Sequence, residues 1–186
     1  MELCLTEINL KLSSKHANLL AIKGLLPVKE WPSFLNTWLE SSIQAGGLLN
    51  TEFSMSSYIK ENKLKCNYAI QTTLNNGNLK FDSDWPVLHD LNAKIFVDNN
   101  SLRLIANKAF IKDQKLSYIR ATIDDFNKPD LDVVSKIPLD LTQGLMIVDD
   151  SPLKKSIGGY FKGSKHAGNG DFDLNLLIDL DNKKDP

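Results

Sequence analysis

Polar and apolar residues alternate with period two through much of this chain. Leu91, Ala93, Ile95 and Val97 alternate with polar or outward positions, and Leu102, Leu104 and Ala106 do the same after Asp98-Asn99-Asn100. Such alternation on both sides of an Asp/Asn turn predicts an antiparallel hairpin with one apolar face. Phe172, Leu174, Leu176, Ile178 and Leu180 alternate with Asp171, Asp173, Asn175 and Asp179. Leu64, Cys66, Tyr68 and Ile70 alternate with Lys65, Asn67 and Ala69. Asn75-Asn76-Gly77-Asn78 reads as another hairpin turn, because Asn and Gly tolerate positive φ, with Leu79-Lys80-Phe81 as the strand beyond it. At the start, Leu3 and Leu5 pass to Ile8, Leu10 and Leu12 after a phase slip at Thr6-Glu7, which predicts a bulged strand. Further short strands are expected at 19–26, at 48–58, from Phe110, from Leu116 and, after the turn Asn127-Lys128-Pro129-Asp130, at 131–134.

Residues 27–46 change period. Trp31, Phe34, Leu35, Trp38, Leu39 and Ile43 recur every three or four residues and predict a helix over 31–45. Pro32 suits its first turn and Gly46-Gly47 supplies a stop. Its polar side carries Asn36, Glu40 and Gln44 in place of Lys or Arg, which favours packing on the sheet over lying on a membrane. A helical turn is expected at 142–148, and a short helix with Ser151 as N-cap, Pro152 in its first turn and Gly158-Gly159 closing it. A glycine-rich loop (163–170) leads to the last strand, and 181–186 is a polar tail. The pattern predicts a mainly β, β-rich α+β fold: a curved antiparallel sheet or groove with one amphipathic helix and short C-terminal helices. It spans residues 1–186 as one segment, with 1–80 (including the helix 31–45) and 81–186 as possible sub-units.

Composition narrows the partners. Charges of 22 basic and 23 acidic residues give a net −1, and no basic stripe carries interleaved aromatics, so nucleic acid is not expected. Polybasic clusters for anionic lipid head groups are missing as well. Cys4 and Cys66 have no CxxC spacing; two free buried thiols are expected over one bridge. No apolar run approaches the ~20 residues of a membrane-spanning helix. Glu2 and Glu7 stand where a secretory signal is basic, so a role outside the cytoplasm requires this chain to be part of something longer.

Reactive groups are scattered. His16, His89 and His166 lack metal-ligand spacing, and His166 near Ser164 and Asp171 lacks a nucleophile elbow. Gly158 and Gly163 begin like a phosphate loop, but Ser164-Lys165 reverses the required order. Asp124-Asp125 and Asp149-Asp150 read as solvated acidic edges. No enzyme activity, metal or cofactor is expected.

A sheet with one wet face must cover its other face with protein or with an apolar ligand. Several blocks bear on that choice. They are Leu26-Pro27-Val28 with Trp31-Pro32 running into Trp38-Leu39; Phe81, Trp85-Pro86, Leu88, Leu91 and Ala93; Ala121-Thr122-Ile123 with Asp125-Phe126; Pro129-Asp130-Leu131; Ser151-Pro152-Leu153; and Gly168 and Gly170 leading to Leu174, Leu176, Ile178 and Leu180. Their order resembles the YhdP family of AsmA-like, TamB-related bacterial envelope proteins, over nearly the whole chain. The resemblance implies a central segment of a longer protein held to the inner membrane by an N-terminal helix. It implies a periplasmic location and a β-rich groove that moves phospholipid toward the outer membrane. Phospholipid and the rest of the parent protein, or neighbouring β segments, are then the partners. The chain itself lacks the membrane helix and most of the groove.

On that reading Leu91, Ala93, Ile95, Val97, Leu102, Leu104, Leu174, Leu176 and Ile178 are the groove liners. Shielding about ten methylenes at ~0.8 kcal/mol each gives roughly 8 kcal/mol per acyl chain without any reactive residue. The same residues packed as a closed core under the helix are the plain alternative. A structural module that pairs by strand addition, without lipid, is the second reading.

Overall fold

The computed structural model describes residues 7–18, 33–60, 63–82, 84–161 and 168–180. The expected strand at 19–26, Leu3, Cys4, Leu5, Trp31, Pro32, the loop residues Ser164, Lys165 and His166, and the tail lie outside these residues. So do the side chains of Phe34, Leu35 and Leu39.

One open antiparallel sheet organises the chain. Strands β1 (Glu7–Asn18), β2 (Ile43–Lys60), β3 (Lys63–Leu79), β4 (Leu88–Asp98), β5 (Leu102–Ile111), β7 (Tyr118–Ile123), β8 (Asp130–Asp140) and β9 (Asn169–Asp179) lie side by side in that order. The short β6 (Gln114–Leu116) folds back on β5. Helix α1 (Ser33–Ser42) precedes β2; α2 (Leu141–Asp149), α3 (Leu153–Ile157) and a 3-10 turn (Gly158–Phe161) lie between β8 and β9.

Register explains why one face is apolar. Leu12, Phe53, Ile70, Val97, Leu102, Ile123, Leu131 and Ile178 are successive cross-strand partners, so a single apolar rung crosses eight strands. Two residues along, Thr72, Ile95, Leu104, Ala121, Val133 and Leu176 form the next rung. Ala17, Leu48, Leu74, Ala93, Ala106, Ile119, Ser135 and Leu174 form a third. Ser135 is tolerated there because its hydroxyl donates to the Tyr118 carbonyl at 2.9 Å. A one-residue slip in any strand would turn its leucines to water, so burial of this face fixes the register.

The turn expected between the fourth and fifth strands is present. The Asp98 carboxylate accepts from the backbone N–H groups of Asn100 (3.0 Å) and Ser101 (2.9 Å). The turn expected at 75–78 is not. β3 runs on to Leu79, and residues 74–79 form bulges against β4. Asn76 does adopt positive φ (50°), but its N–H is taken by the Asn92 side chain at 3.0 Å, which holds it in the sheet. Gly77 leaves room for Leu74 there, since a Cβ would meet Leu74 Cδ2 at 2.5 Å and force that side chain to shift. Residues 79–81 are therefore the end of β3 and its exit.

The other corrections are local. The helix expected over 31–45 ends at Ser42, and Ile43 already belongs to β2. Gly46 does not stop the helix; it sits within β2 at φ 142°, where a Cβ would press on Leu74 and on the Gly77 backbone. The strand expected at 131–134 extends over all of β8. Ser151 does not cap α3 through its side chain, which donates to the Val148 carbonyl, and Gly158-Gly159 continue into the 3-10 turn. Cys66 is a free thiol as expected, but exposed, because β3 projects it near the sheet margin.

Candidate functional site

Two clusters of buried side chains mark the two ends of the strands. At one end Phe81, Trp85, Leu88, Leu91, Ala109, Ile111, Leu116 and Ile137 pack with Ile147 of α2 and Leu153 of α3. Phe81 and Trp85 face one another at 5.5 Å between ring centroids. At the other end Phe126 and Leu180 close over Ile70, Val97, Ile123 and Leu131. The few short helices could not bury this much of a flat sheet, so the sheet's own curl encloses much of its apolar face.

Between the two ends lies an apolar trough. Trp38, from α1, packs against both clusters, and its indole N–H donates to the Phe81 carbonyl at 2.8 Å. That bond consumes the indole's only polar group and sets the ring over the middle of the sheet. Beneath it is a cavity of about 150 Å³, walled by side chains from β2, β3, β4, β5, β7 and β8.

Of the residues expected to line a groove, Leu91, Ile95, Val97, Leu102 and Leu104 do line this cavity. Ala93 is buried on the same face, on the rung between Leu74 and Ala106. Leu174, Leu176 and Ile178 are on the same face but on the edge strand β9, half-buried and away from the cavity wall. The expected liners did not include Trp38, Thr72, Ile119, Ala121, Leu131 and Val133, which also form the wall. Their alternation is present in the sequence; their convergence requires the strand register.

Thr72 contributes the one hydroxyl side chain of the wall. Its oxygen lies 2.8 Å from that of Thr51, and it reaches the Leu49 carbonyl at 3.4 Å. If Thr51 donates to Thr72 and Thr72 to the carbonyl, neither hydroxyl proton is left for a ligand. Among the described residues the ion pairs lie elsewhere: Lys112 with Asp150, Arg120 with Asp132 at 3.5 Å, Lys154 with Asp149 at 3.8 Å and the neighbours His89 and Asp90 at 3.4 Å, all substantially exposed. A wider hollow of about 660 Å³ opens at the sheet's opposite, polar face, where Lys11, Glu52, Gln71, Phe96 and Arg103 mix both charges. Among the described residues no group of three or more His, Cys, Asp or Glu could hold a metal ion.

One open antiparallel sheet of nine strands, with a hydrocarbon-walled cavity on its apolar face, defines a mainly β protein. The chain belongs to the YhdP family: residues 5–186, nearly its whole length, match the family described as YhdP protein. The family is envelope-associated. No curated protein and no solved structure matches the chain. Among the described residues no helix is long and apolar enough to cross a membrane.

Proposed function

We propose that this chain is a lipid-handling segment of the bacterial envelope, shielding phospholipid acyl chains in its groove on a path between the inner and outer membranes. In this reading it works in the periplasm, joined to the rest of a longer protein, and carries out no reaction. The observation that supports it best is the wall of the trough. Every side chain there is apolar except Thr72, whose hydroxyl is already engaged. Such a surface attracts hydrocarbon and gives a head group nothing to hold.

Magnitude fits passage better than storage. A dry apolar cavity of about 150 Å³ accepts a benzene-sized solute, so roughly six carbons of a chain fit beneath Trp38. At about 0.8 kcal/mol per methylene, that is about 5 kcal/mol before the cost of ordering the chain. Contact of this kind has no direction, so a chain can slide along the rungs. The remaining methylenes would rest on the half-buried edge residues Leu174, Leu176 and Ile178.

Detergent-free protein incubated with phosphatidylethanolamine vesicles and examined by native mass spectrometry tests the reading. Lipid adducts are expected on the wild type. They should diminish in Ala121→Leu, which fills the cavity, while the melting temperature is maintained. A wild-type protein that carries no lipid ends the proposal.

A further inference from the structure

We propose that copies of this chain associate head to tail, β9 of one adding to β1 of the next. The proposal does not depend on lipid binding. Among the described residues, β1 and β9 are each paired on one side only, and an unpaired strand presents a row of unused N–H and C=O groups.

Direction permits the junction. Eight strands lie on the main path and every neighbouring pair is antiparallel, so β1 and β9 run in opposite senses. A second copy placed beside the first in the same orientation therefore continues the alternation.

The faces also match. On β1, Ile8 (45% exposed), Leu10 and Leu12 (53%) lie on the apolar face, and no described residue buries them. On β9, Phe172, Leu174 and Leu176 occupy that face, half-buried. Setting Leu12 opposite Phe172 places Leu10 against Leu174 and Ile8 against Leu176. A one-residue slip would put polar residues against these side chains.

Charge selects the polarity. The polar face of β1 carries the exposed Lys11, with the exposed Lys15 further along the same strand, and the polar face of β9 carries the exposed Asp171 and Asp173. In the register just given Lys11 opposes Asp173, and Lys15 lies diagonal to Asp171. Opposite charges across a strand pair attract and like charges repel. Pairing of β1 with β1 or of β9 with β9 is thus disfavoured, and β1 with β9 remains. A shift of two residues one way would bring Glu7 against Asp179, and the other way would set Leu12 against Gly170 in place of Phe172. Because the contact joins two different edges, it extends as an open ladder unless rotation closes it.

Sedimentation velocity of the whole chain at low ionic strength, over rising concentration, is the test. Dimers and longer species are expected, weakening as salt is raised. K11E/K15E should sediment as a monomer, and so should D171K/D173K. An equimolar mixture of the two variants should associate again, which misfolded variants would not do. K11Q/K15Q provides a milder version that should weaken assembly. A wild type that stays monomeric at every concentration, variants that assemble like it, or a mixture that stays monomeric would each overturn the proposal.

Discussion

Replacing Leu91 with Ala probes the trough from its wall. Leu91 is 1% exposed, belongs to the main buried cluster and faces the cavity. Loss of three carbons removes about 2.4 kcal/mol of transfer free energy at ~0.8 kcal/mol each. Buried Leu→Ala changes elsewhere cost about 2.7–5.0 kcal/mol once the hole left behind is included. Leu91 already borders empty space, so it forfeits fewer contacts than a fully surrounded leucine, and about 3 kcal/mol is expected. For a chain of this size that lowers the melting temperature by about 6–12 °C. Urea unfolding should show an earlier midpoint with an unchanged slope. The new hole merges with the old one, so dodecanoic acid should restore more stability to the variant than to the wild type. Saturation at 100 times the dissociation constant would return about 2.7 kcal/mol. A loss below about 1 kcal/mol would show that the site is not packed as described, since buried truncations exceed that figure. Equal rescue of both proteins would refute the merged cavity.

Two further substitutions test polar groups. Thr72→Val strands the buried Thr51 hydroxyl and should cost about 1–3 kcal/mol by urea unfolding, whereas the double change Thr51→Val/Thr72→Val should be nearly neutral; equal losses would contradict the shared bond. Asp140 caps α2 by accepting from the Thr142 N–H at 2.8 Å, and hydrogen bonding from the Thr142 side chain, then from its N–H, holds the carboxyl below the ordinary aspartate value of 3.8. The lowered folded-state value means its contribution is present above about pH 4 and is lost as pH falls through that lower value. Asp140→Asn keeps the cap, so amide exchange of α2 should lose part of its acid sensitivity, and Asp140→Ala should fray the helix at every pH; identical acid profiles for wild type and Asp140→Asn would refute the assignment.

The pattern of single residues carried the class of the fold because a strand's two faces alternate by covalent geometry alone. Leu91 to Val97 and Leu102 to Ala106 announced their hairpin, and Asp98 its turn, since each signal lies within a few residues. The same local logic failed at residues 75–78. Positive φ at Asn76 serves a bulge as well as a turn, and only the bond to Asn92, sixteen residues away, decides between them. It failed at Gly46 too, where the need for glycine comes from Leu74 and Gly77 on the neighbouring strand.

Five of the nine expected liners reach the cavity wall because they lie on central strands; Leu174, Leu176 and Ile178 have equally regular alternation but occupy an edge. Strand order is a property of the whole sheet and leaves no local trace. Trp38 looked like any core-facing residue of an amphipathic helix, and only its bond to Phe81 makes it the roof of the trough. The sequence by itself determined which side of each ribbon is greasy. The tertiary structure alone decided where that side is sealed, where it is roofed and where it stays open, because those depend on which distant strand lies next to which.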